Sequence, residues 1–335
     1  MKRTLLILLK LTISLAVVSY LLTEVRARDP DTFTRLAAEP KNWGLLTAAW
    51  GCFVAALLFG VLRWLLLVRA LAIQCTVFEA VRISAIAYVA DFAALGAVGG
   101  DLLKVALLTR GQPGRGTDAL ASVLVDRLVG AYVVCLVTAA SILVVGPADD
   151  ATLVRAIGGT ALLLAAGVTG VAVVLWMPAP GRWLAATIRR LPWVGTPLAR
   201  LLDALQRYRS HRAALIGGGV LSLGALGANI AGFHLTTSGL PGIGPTLSEQ
   251  LFIVPVSLMS GVIPLPMQTL GVLDYTVEHL YRVASAGRAT PGLGLLVTMS
   301  YRLASIAVAM VGLGFYVTAR AERERAVTSG PVQTT

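Results

Sequence analysis

Apolar residues run through this chain in long, nearly unbroken stretches, and polar residues collect between them. Stretches at about 4–22, 44–68, 120–145, 152–177, 213–238 and 293–318 reach or approach the ~20 apolar residues that cross a bilayer as a helix. Two more, about 78–110 and 247–285, are apolar but interrupted. Gly96, Gly99, Gly100 and Asp101 interrupt the first, and Pro255, Gly261, Pro264, Pro266 and Gly271 the second. Glycine and proline punctuate helices. Non-helical backbone persists at membrane depth only where protein or a water-filled cavity shelters it. The pattern predicts an all-α polytopic membrane protein with six spanning helices and two re-entrant broken hairpins. Full crossing by both hairpins would make eight spans, but each interrupted stretch is short for two spans of about 20 residues.

Composition agrees. The chain has 335 residues, 56% hydrophobic and 13% charged, against about 25% charged in soluble domains. A net charge of +11 would point to nucleic acid in a soluble protein. Here it reads as basic cytoplasmic loops, and no nucleic-acid partner is expected. Cys52, Cys75 and Cys135, and His211, His234 and His279, have neither metal nor disulfide spacing. No metal and no cofactor are expected. The opening MKRTLLILLKLTISLAVVSYLL resembles a signal peptide, but Lys10 interrupts it and no small-residue cleavage site follows. It reads as a first membrane helix that stays attached. Residues 321–335 read as a polar tail.

Loop charges set the expected orientation. Arg69, Arg82, Lys104, Arg110 and Arg115 surround the first interrupted stretch, and Asp149 and Asp150 lie in the loop after the next helix. The 181–212 loop is the most basic, with Arg182, Arg189, Arg190, Arg200, Arg207, Arg209 and Arg212 against Asp203, and the tail adds Arg320, Arg323 and Arg325. Basic loops belong in the cytoplasm. Both termini are then cytoplasmic, the first hairpin enters from the cytoplasm, and the second enters from outside. The order helix, helix, hairpin, helix then occurs twice in opposite orientations, as an inverted-topology repeat does, with halves 1–146 and 147–320. Gly99-Gly100-Asp101 precedes Arg127-Leu128 in one half; Gly271 and Asp274 precede Arg302-Leu303 in the other. The 181–212 segment, with Trp183 and Trp193 among its arginines, reads as amphipathic helix on the inner membrane surface or as a loop that only orients the chain. Gly217, Gly218, Gly219, Gly224 and Gly227 suit close helix packing.

A charge inside the bilayer costs roughly 3 kcal/mol on insertion scales and usually pairs or faces a cavity. Asp91, Asp101, Arg127 and Arg302 fall in membrane context, while Lys104, Asp126, Asp274 and Glu278 fall nearer the expected edges. One reading is a polar cavity between the halves, with Arg127 and Arg302 holding an anionic headgroup by their two-pronged guanidinium groups. Gly99 and Gly100 would let backbone N–H groups approach that ligand at a helix N-terminus. The plainer reading has Asp101 capping the helix that follows, and Asp–Arg pairs pinning the hairpins. The two are compatible. No P-loop, His-Glu-x-x-His, Cys-x-x-Cys or dinucleotide fingerprint is present. No catalytic residue is assigned, and an enzyme is not the expected class.

The blocks GGDLLKVALL and ASVLVDRLVG resemble the lysylphosphatidylglycerol synthase transmembrane region, also called the flippase-like or uncharacterised family 0104 group. The resemblance rests on Gly99, Gly100, Asp101, Lys104, Ala121, Ser122, Asp126 and Arg127, and more weakly on Pro264, Pro266, Gly271, Asp274 and Arg302-Leu303. It departs where the family often has Asn and then Pro, here Asp91 and Leu95, and where it has a basic residue, here Ala97. The resemblance implies a multi-pass protein of the bacterial or archaeal inner membrane. Members include the flipping half of aminoacyl-phosphatidylglycerol synthases, and standalone proteins linked to polyprenyl-phosphate sugars, hopanoids or envelope lipids. The soluble aminoacyl-transfer domain is not expected here, so the chain should not make lysyl lipids alone.

The expectation is a flippase-like protein that translocates or binds an anionic membrane lipid, phospholipid or polyprenyl-phosphate-linked. Its substrate-binding set is Gly99, Gly100, Asp101, Lys104, Asp126, Arg127, Gly271, Asp274 and Arg302. Envelope-lipid synthesis enzymes are candidate partners. Without an ATP motif, movement is downhill or ion-coupled, with Asp101 or Asp274 as proton carrier. The alternative is an intramembrane or accessory subunit of a lipid-linked glycosyl or aminoacyl transferase. A small-solute secondary transporter is a third reading.

Overall fold

A computed structural model describes residues 23, 38–92, 96–110, 112, 114–145, 159–170, 195–259 and 271–328. Every described element is helical. The first four helices are α1 (Trp43–Ala70), α2 (Val77–Phe92), α3 (Gly96–Thr109) and α4 (Gly116–Val145). A surface helix α5 (Gly195–Arg207) and a 3-10 turn (Tyr208–Ser210) follow. The chain then forms α6 (Arg212–Gly239), α7 (Leu247–Met259), α8 (Val272–Ala284) and α9 (Leu293–Thr328). Trp43–Ala70, Gly116–Ile142, Arg212–Gly239 and Leu293–Phe315 are long and apolar enough to cross a membrane; Gly159–Gly170 is a shorter apolar helix. The chain is a polytopic helical membrane protein. The expected helix at 4–22, and that at 152–177 apart from 159–170, lie outside the described residues.

Local chemistry starts these helices where they start. Asn42 caps α1 by accepting the Leu45 N–H. Thr76 and Glu79 form a reciprocal capping box at α2: the Thr76 N–H donates to the Glu79 carboxylate, and the Glu79 N–H to the Thr76 hydroxyl. Thr246 and Glu249 repeat this arrangement at α7. Each box satisfies two N–H groups that the first turn leaves open.

The hydrogen bonds fix the sides of the bundle. α1 and α6 pack antiparallel along their length, with the Asn42 N–H bonded to the Gly239 carbonyl at one end and the Tyr208 hydroxyl to the Leu67 carbonyl at the other. At that second end the loops before α2 and after α3 meet, through Gln74–Gln112 bonds and an Arg115 bond to the Leu71 carbonyl. At the first end the loops before α7 and after α8 meet, through backbone and side-chain bonds between Ile243 and Thr290. Each hairpin therefore starts and returns on one side, and the two do so on opposite sides. The described parts of their arms have 16, 14, 13 and 13 residues, about 20–24 Å at about 1.5 Å rise per residue; residues 93–95 and 260–270, between the arms, lie outside the described residues.

Neighbour relations repeat between the halves. α2 lies against α9 and α7 against α4; α3 lies against α4 and α8 against α9. Small residues set the close approaches, as in membrane bundles generally. A Cβ at Gly232 would come within 2.5 Å of the Phe53 ring. One buried cluster gathers around Phe53, Phe233 and Tyr281, beside the second hairpin. Another gathers around Trp64, Leu67 and Tyr208, at the basic side.

Three expectations need correction. Gly99, Gly100 and Asp101 do not interrupt a helix: α3 begins at Gly96 and runs through them, and both glycines are buried. Pro255 also lies inside a helix, α7, among buried neighbours; packed helices tolerate proline because neighbours re-satisfy the freed backbone groups. α5 packs on α4 and on the Trp64 cluster through Ala204, Leu201 and Leu205, and Tyr208 of the following turn belongs to the same cluster, so these apolar residues of the stretch meet protein. Residues 181–194 and 260–270, which carry Gly261, Pro264 and Pro266, lie outside the described residues.

Candidate functional site

Each hairpin's returning arm carries an aspartate that meets an arginine on the next long helix. On α3, Asp101 accepts two parallel bonds from Arg127 of α4: Nε to Oδ2 and Nη2 to Oδ1, both 3.0 Å. On α8, Asp274 accepts Nε of Arg302 of α9 at 3.2 Å and Nη2 at 2.7 Å. The planar guanidinium suits this two-pronged bond. Asp101 stands in the second turn of α3 and is not its cap. Asp274 does serve its own helix start, accepting the Gly271 N–H at 3.0 Å. Gly271 has φ +86°, a left-handed conformation that glycine adopts freely.

The pairs share geometry but not surroundings. Arg127 and Asp101 are 47% and 24% exposed, whereas Arg302 and Asp274 are 10% and 0% exposed. The second hairpin has another tie one turn further on. Glu278 is buried and accepts the backbone N–H groups of Gly292 and Leu295, at the start of α9, with Arg282 nearby. Asp126, Asp274 and Glu278, expected near the membrane edges, are buried in the bundle. Asp274 stands in the first turn of α8, whereas Asp126 and Glu278 lie well inside α4 and α8, and all three are buried.

Asp126 turns away from its neighbour Arg127. It accepts Nε of Arg63 on α1 at 2.7 Å and Nη2 at 3.2 Å, while Nη1 of Arg63 donates to Ser222 on α6. Sequence reasoning missed Arg63, although a charge inside FVAALLFGVLRWLLLV was the available signal. Lys104 lies half-buried on α3, its Nζ 5.1 Å from the centroid of Trp64. Asp91 falls in the last turn of α2. The structure thus joins Asp101 to Arg127, Asp274 to Gly271 and Arg302, and Asp126 to Arg63. Gly99 and Gly100 pack inside α3's surroundings, and Lys104 lies against α1. Among the described residues no three His, Cys, Asp or Glu side chains gather as a metal site would require.

These features define a helical membrane protein whose buried charge is organised around two oppositely directed hairpins. The chain belongs to the Lysylphosphatidylglycerol synthase TM region family, which matches residues 7–312, and so to a group tied to lipid biosynthesis or transport. No curated protein and no solved structure matches it.

Proposed function

We propose that this chain is a flippase-like protein that binds an anionic lipid and passes its headgroup across the cytoplasmic membrane. The observation that carries this reading is the pair of hairpins entering from opposite sides, each tied by a two-pronged Asp–Arg bond to the following helix. Inverted repeats commonly place a binding site near the bilayer midplane, between broken helices. The repeat of capping boxes, neighbour relations and ion pairs supports two such halves here. The side bearing Arg69, Arg115, Arg207 and Arg212 is the cytoplasmic one on the positive-inside rule. α9 runs toward that side, so the C-terminus is cytoplasmic; the inner membrane is the compartment in which this orientation makes sense.

Arg127, half-exposed, is the arginine able to exchange its carboxylate for a lipid phosphate. Arg302, enclosed with Asp274, anchors the second hairpin in the same arrangement. Gly99 and Gly100 lie buried in α3 just before Asp101, and Gly271 starts α8 beside Asp274. The test is reconstitution of the full chain into liposomes carrying fluorescent phosphatidylglycerol or fluorescent phosphatidylcholine in the inner leaflet. The expected result is faster exposure of the anionic lipid to a membrane-impermeant quencher than in protein-free vesicles, with the zwitterionic lipid slower. Equal rates with and without protein for every anionic lipid tried would overturn the reading.

A further inference from the structure

The two halves differ in one place where charge matters. Three residues after Asp101, on the same face of α3, stands Lys104; three residues after Asp274 on α8 stands Val277, fully buried. Lys104 lies over Trp64 of α1. Trp64 and Phe233 hold the same place in two 28-residue helices, counted from Trp43 in α1 and Arg212 in α6. Phe233 and Val277 belong to one apolar cluster. The second half thus builds with Phe and Val what the first builds with Trp and Lys.

The polar version lacks a matching anion. Asp101 is committed to Arg127, and Asp126 to Arg63. Among the described residues Lys104 has no carboxylate partner, and the buried indole N–H of Trp64 has no acceptor. A half-buried cation beside an unsatisfied donor costs stability unless an anion meets it. The second hairpin is different: Asp274 and Glu278 face Arg302 and Arg282, two charges of each sign.

We propose that Lys104, positioned by the face of Trp64, forms an anion subsite that contacts the phosphate of a lipid headgroup directly, and that this subsite exists only in the first half. The ring's attraction for an ammonium group holds the flexible lysine in place without neutralising it, which a carboxylate partner would do. Each arginine already holds a carboxylate, so Arg127 must release Asp101 before it meets a phosphate, whereas Lys104 has none to release among the described residues. The subsite rests on the lipid reading above and names the residue that carries its headgroup contact.

The test is titration of the purified full chain in detergent with short-chain phosphatidylglycerol, short-chain phosphatidylcholine and inorganic phosphate, followed by calorimetry. Wild type is expected to bind phosphatidylglycerol saturably. Lys104→Gln should weaken binding at least about tenfold, the scale of one charge-assisted hydrogen bond. Lys104→Arg should restore most of it, which a purely structural lysine would not predict. Trp64→Leu should weaken binding, and Arg110→Gln, one cation removed at the exposed end of the same helix, should not. Wild-type affinity in Lys104→Gln overturns the subsite and leaves the lipid reading standing. Lys104-dependent binding of inorganic phosphate with none of phosphatidylglycerol keeps the subsite and overturns its lipid ligand. No binding of either anion by wild type overturns both.

Discussion

Replacing Asp274 with Asn leaves the Arg302 guanidinium enclosed without its counter-ion. It also weakens the acceptor that holds the Gly271 N–H at the start of α8. Arg302 and Asp274 are 10% and 0% exposed, so stranding one partner should cost about 3–5 kcal/mol. Asp101→Asn removes a bond of the same geometry, but Arg127 is 47% exposed; on the proposed reading that this face lines a polar cavity, water takes over and the cost should be about 1 kcal/mol. The double variant Asp274→Asn with Arg302→Met removes both charges. It should regain much of the loss, because a neutral packed pair often replaces a buried ion pair with little penalty. Unfolding in mixed micelles, with rising dodecyl sulfate mole fraction, gives all four stabilities of each double-mutant cycle. The coupling energy should exceed about 2 kcal/mol in the second half and stay below about 1 kcal/mol in the first. Equal costs for Asp274→Asn and Asp101→Asn would refute the argument that enclosure, not pair geometry, decides what these bonds contribute.

Three further outcomes follow from contacts elsewhere. Gly312→Ala should destabilise by about 1–3 kcal/mol, because a Cβ there would come within 2.1 Å of the Ala85 carbonyl and force α9 from α2; Gly314→Ala, which meets nothing within 4 Å, should be tolerated in the same unfolding assay. Arg63→Met should cost about 3 kcal/mol by stranding Asp126, and adding Asp126→Asn should recover part of it; an uncoupled pair would count against the three-helix junction. The Cys75 thiol is pushed up by burial and by the Glu79 carboxylate, with Arg69 opposing. Since the thiolate is the nucleophile, iodoacetamide should label Cys75 more slowly at neutral pH in the folded chain than in the unfolded one, as read by mass spectrometry.

Long apolar runs announced the spanning helices because hydrocarbon enforces both length and composition. Trp43–Ala70 and Arg212–Gly239 fall almost where the runs at 44–68 and 213–238 placed them. The ionic partners of the hairpins were legible as well, since Asp and Arg are costly enough in such runs to be noticed. What periodicity could not show was depth. Asp274 and Glu278 sit toward the ends of an apolar stretch in sequence, yet α7 and α9 cover them. Nor could it tell a glycine at a helix boundary from one carried inside a helix. Gly99 and Gly100 lie buried within α3, whereas Gly271, with its positive φ, stands at the start of α8. Arg63 went unnoticed because a single charge in a strong span looks like noise until its partners on α4 and α6 are in place.

The dipeptide Asp126-Arg127 explains why one half is polar where the other is not. Successive residues on a helix point about 100° apart, so the two serve different neighbours. Asp126 reaches Arg63 of α1, which reaches Ser222 of α6; Arg127 reaches α3. In the other half Tyr301-Arg302 divides the same way: Arg302 reaches α8, and Tyr301 packs against Phe53 of α1 and Phe233 of α6. One junction is ionic and the other aromatic, though each joins the same three kinds of helix. The difference continues at Trp64 and Lys104 against Phe233 and Val277. Packing alone does not require the ionic version, since the aromatic one closes an equivalent space. Lys104→Val, which copies the second half, should therefore leave stability within about 1 kcal/mol of wild type while abolishing lysine-dependent anion binding. A large loss of stability in Lys104→Val would instead make Lys104 a structural residue and remove the reason for assigning ligand chemistry to the first half.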